Sequence, residues 1–353
     1  MVFDQLDQTP GARFLFTLAL GVILIHGLQL TQPIMLPFAV AAFIAVISLP
    51  IMFWLQSKRV PPQLAIFVTV IVVALVFVLL ILLTSQQVTQ LQDRLPRYQS
   101  LLSVRISGWL QTIEDRWPLV AQARPNLETL INMETVLDLA GGTFQRALSF
   151  LSNTFLVFLI LIFALGEATV FPDKLQAIFG DRARSDERLE KIIREVQGYL
   201  GIKTVVSLAT GVLLGTWTWA LGLDSPVLLG LIAFILNYVP TIGSVLASAP
   251  ALVLALIQYD IQHALIVAVG YVVVNLIFGN WLEPTLMGRR LGLSTLVVIL
   301  SLVFWGWLWG PVGALLSVPL TMVVKIMLEN TRDLRWVAVM LDKSAPQAPM
   351  EST

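Results

Sequence analysis

Long runs of apolar residues, separated by short stretches rich in proline or charge, follow one another along most of the chain. A helix needs about 20 mostly apolar residues to cross a hydrocarbon layer about 30 Å thick. Prolines tend to stand near helix ends, and several of these runs are bounded by them. The pattern therefore predicts membrane-crossing helices near residues 12–30, 33–54, 62–84, 149–170, 204–221 and 261–282.

Two further apolar segments, 226–258 and 293–328, are too long for a single crossing. At 1.5 Å per residue, each would measure about 50 Å as a straight helix. Each carries a helix-breaking proline near its middle, Pro240 in the first and Pro311 in the second. Irregular backbone cannot face lipid, so we expect two re-entrant hairpins whose tips are buried in protein or face water. Two fully spanning, kinked helices are the alternative.

The two long segments also resemble one another. Leu221-Gly222-Leu223 recurs as Leu291-Gly292-Leu293, and the same offset of 70 residues continues without a gap. Paired broken helices in corresponding positions are typical of a transporter's substrate site. The pattern predicts an all-α polytopic membrane protein of about eight membrane segments, with an internal repeat that is inverted in the membrane. The further matched pairs are Val227 with Val297, Phe234 with Phe304, Gly243 with Gly313 and Leu246 with Leu316.

The composition agrees with a membrane protein and excludes several other classes. The 353 residues are 57% hydrophobic and 12% charged, with a mean hydropathy of +0.84, whereas soluble proteins carry about 25% charged residues. The formal net charge is zero, so the chain lacks the basic footprint of a nucleic-acid-binding protein. The absence of cysteine excludes disulfides, thiolate metal sites and cysteine nucleophiles.

Basic residues in short loops favour the cytoplasm and predict the topology. They occur at Lys58, within 171–203 and at Arg289-Arg290. If the N-terminus is inside and 226–258 is re-entrant from outside, all three groups and the C-terminus lie in the cytoplasm. The predicted regions are an N-terminal three-helix membrane region 1–84, an extracytoplasmic helical region 85–148, a membrane helix 149–170, a cytoplasmic amphipathic arm 171–203, a membrane core with the repeat 204–330 and a cytoplasmic tail 331–353.

Two of these regions are predicted to be helical outside the membrane. In 85–148, Leu91, Tyr98 and Trp109 recur at mostly helical spacing, as in an amphipathic helix that forms a rim, a lid or an oligomer contact. In 171–203, an apolar stripe lies among many charges. That segment is either an interfacial helix on the inner leaflet or a mobile arm that couples protomers or gates the path.

The helix breaks, and polar residues inside apolar helices, are the candidate substrate-binding groups. A broken helix leaves backbone N–H and C=O groups free, and its ends carry partial charges that bind ions or anionic groups. A structural kink that permits close helix packing is the alternative. Asparagines in apolar helices either line a polar path or hydrogen-bond across helices. The candidates are Asn237, Tyr238, Pro240, Gly243, Ser244, Asn275, Asn280, Pro311 and Gly313.

Three carboxylates near predicted helix ends, Glu283, Asp224 and Glu167, are candidates for coupling to protons or cations. The alternative for each is a solvated anchor or a helix cap, and Arg289-Arg290 lies close enough to Glu283 in sequence for an ion pair. None lies clearly at a helix midpoint, which argues against a proton-driven pump. The chain has no serine-nucleophile elbow, zinc motif or phosphate loop, so we expect no enzyme activity, metal or cofactor.

An ordered set of motifs occupies residues 196–328 and carries a resemblance to a known family. The motifs are VQGYL at 196–200, LGL at 221–223, NYVPTIG at 237–243, EPTLMGRRLGL at 283–293 and GPVGALLSVPL at 310–320. Together they resemble the AI-2E transporter family of bacterial membrane proteins. Tyr238 stands where that family more often has phenylalanine, and Thr295 replaces a proline of the family pattern.

The resemblance implies about eight membrane segments and transport across the membrane. Members of the family are proposed to export the signal autoinducer-2, and others to act as sodium/proton antiporters. We therefore expect a multi-pass, homo-oligomeric protein of the bacterial inner membrane that transports or exports a small polar solute, with the lipid bilayer and a small molecule or ion as its partners and no nucleic acid.

Two other hypotheses stay open. A monovalent cation/proton antiporter requires one of the three carboxylates to be buried and to titrate. A non-transporting membrane scaffold would instead use its outer region to bind a partner. A polar cavity that joins the two breaks favours transport, and a dry core there favours the scaffold.

Overall fold

The computed structural model describes residues 10–116, 154–179, 183–240, 242–287, 293–329, 331 and 335–342. Within these ranges every regular element is helical, which confirms the all-α prediction. A π-helical segment, Leu276–Leu282, joins α8 to α9. The helices are α1 Pro10–Leu30, α2 Gln32–Ser57, α3 Pro62–Arg116, α4 Thr154–Phe179, α5 Ala183–Ala220, α6 Pro226–Leu236, α7 Ile242–Gln258, α8 Ile261–Asn275, α9 Glu283–Met287, α10 Thr295–Leu315, α11 Ser317–Glu329 and α12 Arg335–Leu341.

Five helical stretches of the described chain are long and apolar enough to cross a membrane. Large apolar side chains such as Phe155, which is 80% exposed, cover the outside of the helices. A surface of this kind suits lipid, and the chain is a multi-pass membrane protein. The total of about eight segments stays a prediction. The five stretches are Gln32–Ser57, Pro62–Leu91, Arg194–Ala220, Ile261–Met287 and Thr295–Leu315.

The segment 226–258 is a helical hairpin formed by α6 and α7. Pro240 has no backbone N–H to continue α6 and disfavours a helical residue before it. The two ends of the segment meet: the Asp224 N–H donates to the Gln258 side-chain oxygen at 3.2 Å, and the Tyr259 hydroxyl donates to the Gly222 carbonyl at 2.8 Å. The chain therefore leaves this first hairpin at the end where it entered.

The segment 293–328 is a second hairpin, whose reversal lies inside α10 and whose returning arm continues into α11. Helical geometry is lost at Trp309 and at Gly310, whose φ of 69° lies in the left-handed region that favours glycine. The Ser301 hydroxyl donates to the Ser317 carbonyl at 2.8 Å although 16 residues separate them. In a straight helix that separation would be about 24 Å. The predicted breaks near 238–243 and 309–313 are thus confirmed as chain reversals.

A glycine stands at the start of the returning arm in each hairpin. A Cβ atom on Gly243 would overlap the carbonyl oxygen of Leu236, and a Cβ atom on Gly313 would overlap that of Trp305. Both glycines are buried. They let the two arms of each hairpin approach to backbone contact.

Three predicted region boundaries, at 84/85, 170/171 and 203/204, fall inside the continuous helices α3, α4 and α5. α3 runs unbroken for 55 residues, about 80 Å, so the boundary at 84/85 is not a helix end. α5 likewise passes without interruption through the boundary at 203/204. The polar stretches after residue 84 and before residue 204 are rich in good helix formers and lack a breaking proline–glycine pair, so local propensity continues each helix.

The long α3 docks on the first hairpin. Tyr98 is buried in the same apolar cluster as Leu229, Ala251 and Ala255 of that hairpin. A separate cluster around Tyr199, between α5 and the second hairpin, includes Met287 of α9 together with Val318 and Met322 of α11. α5 therefore lies between the two hairpins and contacts both. The rest of the predicted 85–148 region, after Arg116, lies outside the described residues.

Candidate functional site

One face of α5 is polar where this helix passes through the apolar interior. Lys203, Ser207 and Thr210 are buried and lie about one turn apart, and Thr204 lies beside them. They belong to the stretch Arg194–Ala220, which is apolar enough to cross a membrane. Water is absent from a hydrocarbon interior, so each of these groups requires a partner within the protein.

Lys203 forms an ion pair with Glu283. The lysine Nζ lies 2.5 Å from the carboxylate oxygen Oε1, and the two side chains are only 4% and 16% exposed. Ionised groups at such positions are costly in membrane proteins, occur in pairs and mark functional sites. Arg289-Arg290, which the sequence suggested as ionic partners of Glu283, lie outside the described residues. The partner of Glu283 that the structure shows is Lys203 of α5.

The π-helical segment positions Glu283. It ends at Leu282, which makes Glu283 the first residue of α9. Its wider turns change the direction of the side chains that follow, and such insertions are frequent at functional sites. Both the segment and α9 contact α5, so this local irregularity brings the carboxylate to the lysine.

The first helix break supplies two more polar side chains to the same face of α5. The Asn237 side-chain amide donates to the Ser207 hydroxyl at 2.9 Å, and the Tyr238 hydroxyl donates to the Thr204 hydroxyl at 2.8 Å. Edge-to-face contacts hold the Tyr238 ring, 5.6 Å from the ring of Phe43. The tip of the first hairpin is thus fixed to α5 by side-chain hydrogen bonds.

These contacts bring together a central polar cluster from three parts of the chain. Sequence reasoning had identified its members from the break and from α9, but it missed those of α5. Polar residues repeating every three or four positions in the apolar run of α5 were the available signal. The Thr210 hydroxyl continues the row and is buried with no hydrogen-bond partner in the part of the chain that the structure describes. The cluster consists of Lys203, Thr204, Ser207, Asn237, Tyr238 and Glu283.

The other candidates near the first break and α8 have different surroundings. The Pro240 carbonyl accepts a hydrogen bond from the Ile242 N–H at 2.6 Å, which closes the turn. Ser244 is half-buried one residue after Gly243. Asn275 is half-buried at the end of α8, and Asn280 is exposed on the π-helical segment. Among the described residues, no side-chain hydrogen bond joins Asn275 or Asn280 to the central polar cluster.

The second break has a polar interior of its own. The Trp305 indole N–H donates to the Thr321 hydroxyl at 2.9 Å, and that hydroxyl lies 2.6 Å from the Ser301 hydroxyl. Trp309 donates to the Leu28 carbonyl at 3.1 Å and ties the break to α1. Pro311 is exposed at the tip. The bonds among Ser301, Trp305 and Thr321 join the two arms across the hairpin.

Asp224 lies in a second ionic group, at the base of the first hairpin. It forms an ion pair with Arg94 and accepts a hydrogen bond from the Tyr98 hydroxyl, to which Gln258 donates at 3.2 Å. We call these four residues the base clasp. Partial burial raises the pKa of Asp224, but the hydrogen bonds from Arg94 and Tyr98 and the arginine charge outweigh it and hold that pKa below its ordinary value.

The third carboxylate, Glu167, is exposed and pairs with Lys174 at 2.6 Å. Exposed pairs of this kind contribute little free energy. Of the three candidate coupling carboxylates, Glu283 is therefore the one placed in an apolar interior.

Comparison with known proteins agrees with this architecture. A family model described as AI-2E family transporter matches residues 14–333. The AI-2 transport protein TqsA of Escherichia coli (strain K12) is 37% identical over 331 residues, which cover 94% of this chain and 96% of TqsA. A protein of Haemophilus influenzae is 36% identical over 326 residues, covering 90% of this chain and 93% of the relative. YhhT of Escherichia coli (strain K12) is 29% identical over 350 residues, or 99% of both chains.

The family model and these relatives extend over nearly the whole chain, including both hairpins and the central polar cluster. On this evidence the chain belongs to the AI-2E transporter family.

Proposed function

We propose that this protein carries a small polar solute across the bacterial inner membrane and that the solute binds at the central polar cluster. The observation that carries the proposal is the meeting of Asn237 and Tyr238, at the first break, with the buried polar face of α5. Autoinducer-2 is the solute that we favour, because TqsA, named an AI-2 transport protein, is similar over 94% of this chain.

The groups of the cluster suit a solute that carries hydroxyl or carbonyl groups. Amide and hydroxyl side chains both donate and accept hydrogen bonds, so a solute can exchange its bonds to water for bonds to Asn237, Thr204 and Ser207. The Thr210 hydroxyl, which has no hydrogen-bond partner among the described residues, offers one further group in the same row. A solute bound there lies beside a broken helix, as in transporters that use half-helix ends.

The two hairpins are proposed to be an inverted repeat within a protein of about eight membrane segments. In support, Gly243 and Gly313 are related by the 70-residue offset, and each packs against a carbonyl of the preceding arm. The first hairpin would then open to the outside and the second to the cytoplasm. Assembly as a homo-oligomer completes the proposal.

A monovalent cation/proton antiporter is the second candidate function, and the Lys203–Glu283 pair favours it. A carboxylate in an apolar interior can exchange a proton for a cation, provided that its lysine partner moves away. In that case Glu283 carries the coupling. Solute transport and antiport predict different cargo, and so a flux measurement separates them.

The test uses proteoliposomes that contain the purified full chain. Export or uptake of autoinducer-2 is measured beside sodium-driven proton flux for Thr204→Val and for Thr216→Val. Both hydroxyls donate to their own helix backbone, but only Thr204 accepts from Tyr238. Loss of about one hydrogen bond should reduce solute flux about 5-fold in Thr204→Val and leave Thr216→Val near the wild type.

Other outcomes have definite meanings. Sodium/proton exchange without autoinducer-2 flux, abolished by Glu283→Gln in protein that still elutes as the folded form, would establish the antiporter instead. Folded protein that moves neither cargo would contradict transport and leave the membrane scaffold as the explanation.

A further inference from the structure

A half-open cavity of about 400 Å³ lies between α3 and the start of the first hairpin, away from the central polar cluster. Its polar lining consists of three glutamines and a serine, Gln86, Gln87, Gln90 and Ser225. Ligand pockets for small molecules have volumes of about 300–1,000 Å³. The cavity lies where α3 leaves its membrane-crossing stretch, which ends at Leu91.

The floor of the cavity is fixed by hydrogen bonds. The Gln87 side-chain oxygen accepts from the Leu228 N–H at 2.9 Å and so caps the first turn of α6. The Gln87 carbonyl accepts from the Ser225 hydroxyl at 3.3 Å. Because Ser225 has a left-handed backbone with φ 57°, this corner is a defined turn. Gln87 is therefore held in place by its hydrogen bonds to the first hairpin, whether or not a ligand is bound.

The other two glutamines of the lining are placed to contact a ligand. Gln86 and Gln90 are exposed and lie four residues apart, so their amides stand one above the other on one face of α3. Each amide can donate two hydrogen bonds and accept two. Leu82, Leu83 and Pro226 form the apolar part of the wall.

Among the described residues, the lining contains no ionised side chain. Arg94, one turn beyond Gln90, and Asp224, next to Ser225, are ionised, but they pair with each other. A charged ligand would therefore lose hydration without gaining a counter-charge. A ligand with several hydroxyl groups and apolar C–H faces matches paired amides on one side and leucine on the other.

We propose that this cavity binds a neutral polyol, either a free molecule or the uncharged sugar headgroup of a glycolipid at the membrane boundary. Binding would rest on Gln86 and Gln90. The site is separate from the proposed solute site, and its test is direct binding, which does not depend on transport.

The experiment measures ligand binding to the purified, lipid-depleted full chain by saturation-transfer NMR. The neutral probe is ribitol and the charged comparator is glycerate. The test variant is Gln86→Leu/Gln90→Leu, with each single substitution beside it. The matched control is Gln262→Leu, an exposed glutamine outside the cavity. Loss of two hydrogen bonds should weaken ribitol binding at least 10-fold, while the control keeps wild-type binding.

A second arm distinguishes the source of the ligand. Native mass spectrometry of protein extracted from bilayers containing monoglucosyl diacylglycerol shows whether this lipid stays bound. Ribitol binding that is lost in the double variant supports a free polyol, and lipid retention that is lost in the same variant supports a glycolipid. Equal binding in wild type and double variant, preference for glycerate, or no binding of either neutral probe would overturn the proposal.

Discussion

Lys203 and Glu283 lie 2.5 Å apart although 80 residues separate them in the chain. The lysine comes from α5 and the glutamate from the start of α9, after the π-helical segment. Their pairing joins the helix that contacts both hairpins to the segment between those hairpins. A movement of α5 relative to α9 must therefore either keep this ion pair or break it.

Breaking the ion pair from one side should destabilise the protein more than removing both charges. Lys203→Met leaves the glutamate charge without a partner in an apolar interior, and Glu283→Gln leaves the lysine charge without one. Each should cost about 3–5 kcal/mol of stability, whereas the double variant should recover much of that loss. The melting temperatures of the three variants are measured by thermal unfolding in detergent. A double variant that melts no higher than the less stable of the two single variants would contradict the pairing.

The hairpin glycines should not tolerate even a methyl group. Gly243→Ala and Gly313→Ala each place a Cβ atom against a backbone carbonyl that cannot rotate away. Overpacking of this kind costs about 1–3 kcal/mol. Size-exclusion chromatography and thermal unfolding should show less folded protein in both variants.

Gly166→Ala is the matched control, because a Cβ atom there meets nothing within 4 Å. Leucine at either hairpin glycine should perturb the hairpin itself for the same reason. Melting temperatures equal to that of the wild type in both alanine variants would show that the arms can separate without loss of stability.

The base clasp should make stability depend on pH in a defined direction. The native pKa of Asp224 lies below its ordinary value of 3.8. The ionised carboxylate therefore stabilises the fold fully at pH values well above 3.8. This stabilisation is lost as the pH falls through the native pKa. Burial and the nearby Asp224 raise the pKa of Tyr98 above its ordinary value of 10.0. The Tyr98 contribution is therefore present below pH 10.0 and lost as the pH rises through the native value.

Asp224→Asn removes the acid-sensitive part of this behaviour. The melting-temperature difference between wild type and Asp224→Asn should be largest near neutral pH and should shrink between about pH 5 and about pH 2. A difference that stays constant over this range would mean that the Asp224 charge does not stabilise the fold.

The C-terminal helix α12 should stabilise the base of the second hairpin. Lys325 of α11 is buried and pairs with Asp342 at 3.0 Å, the Ser294 N–H donates to the Leu341 carbonyl at 3.1 Å, and Ala338 is fully covered. Truncation before residue 335 removes these contacts and should lower stability by more than about 1 kcal/mol. Truncation after residue 342 keeps them and is the control, and equal melting of the two truncations would count against this role.

The sequence predicted the features that have local causes. Pro240 and the break at Trp309–Gly310 interrupt apolar runs too long for one crossing, and the structure reverses the chain at both. The length of α3 was missed because the end of an apolar run is not the end of a helix. The Lys203–Glu283 pair was missed because its partners are distant in sequence and meet only through tertiary packing. A π-helical insertion likewise has no reliable local signature.

The most direct test of a solute site at the central polar cluster is protection of a single cysteine. The chain has no cysteine of its own, so Thr204→Cys in the cluster and Ser57→Cys at the exposed end of α2 each report one position. The measurement is the rate of reaction with a membrane-permeant thiol reagent, with and without autoinducer-2, in a preparation shown to transport it. We predict that autoinducer-2 slows the reaction at position 204 and leaves position 57 unchanged. An unchanged rate at position 204 during active transport would place the solute path elsewhere and contradict the account.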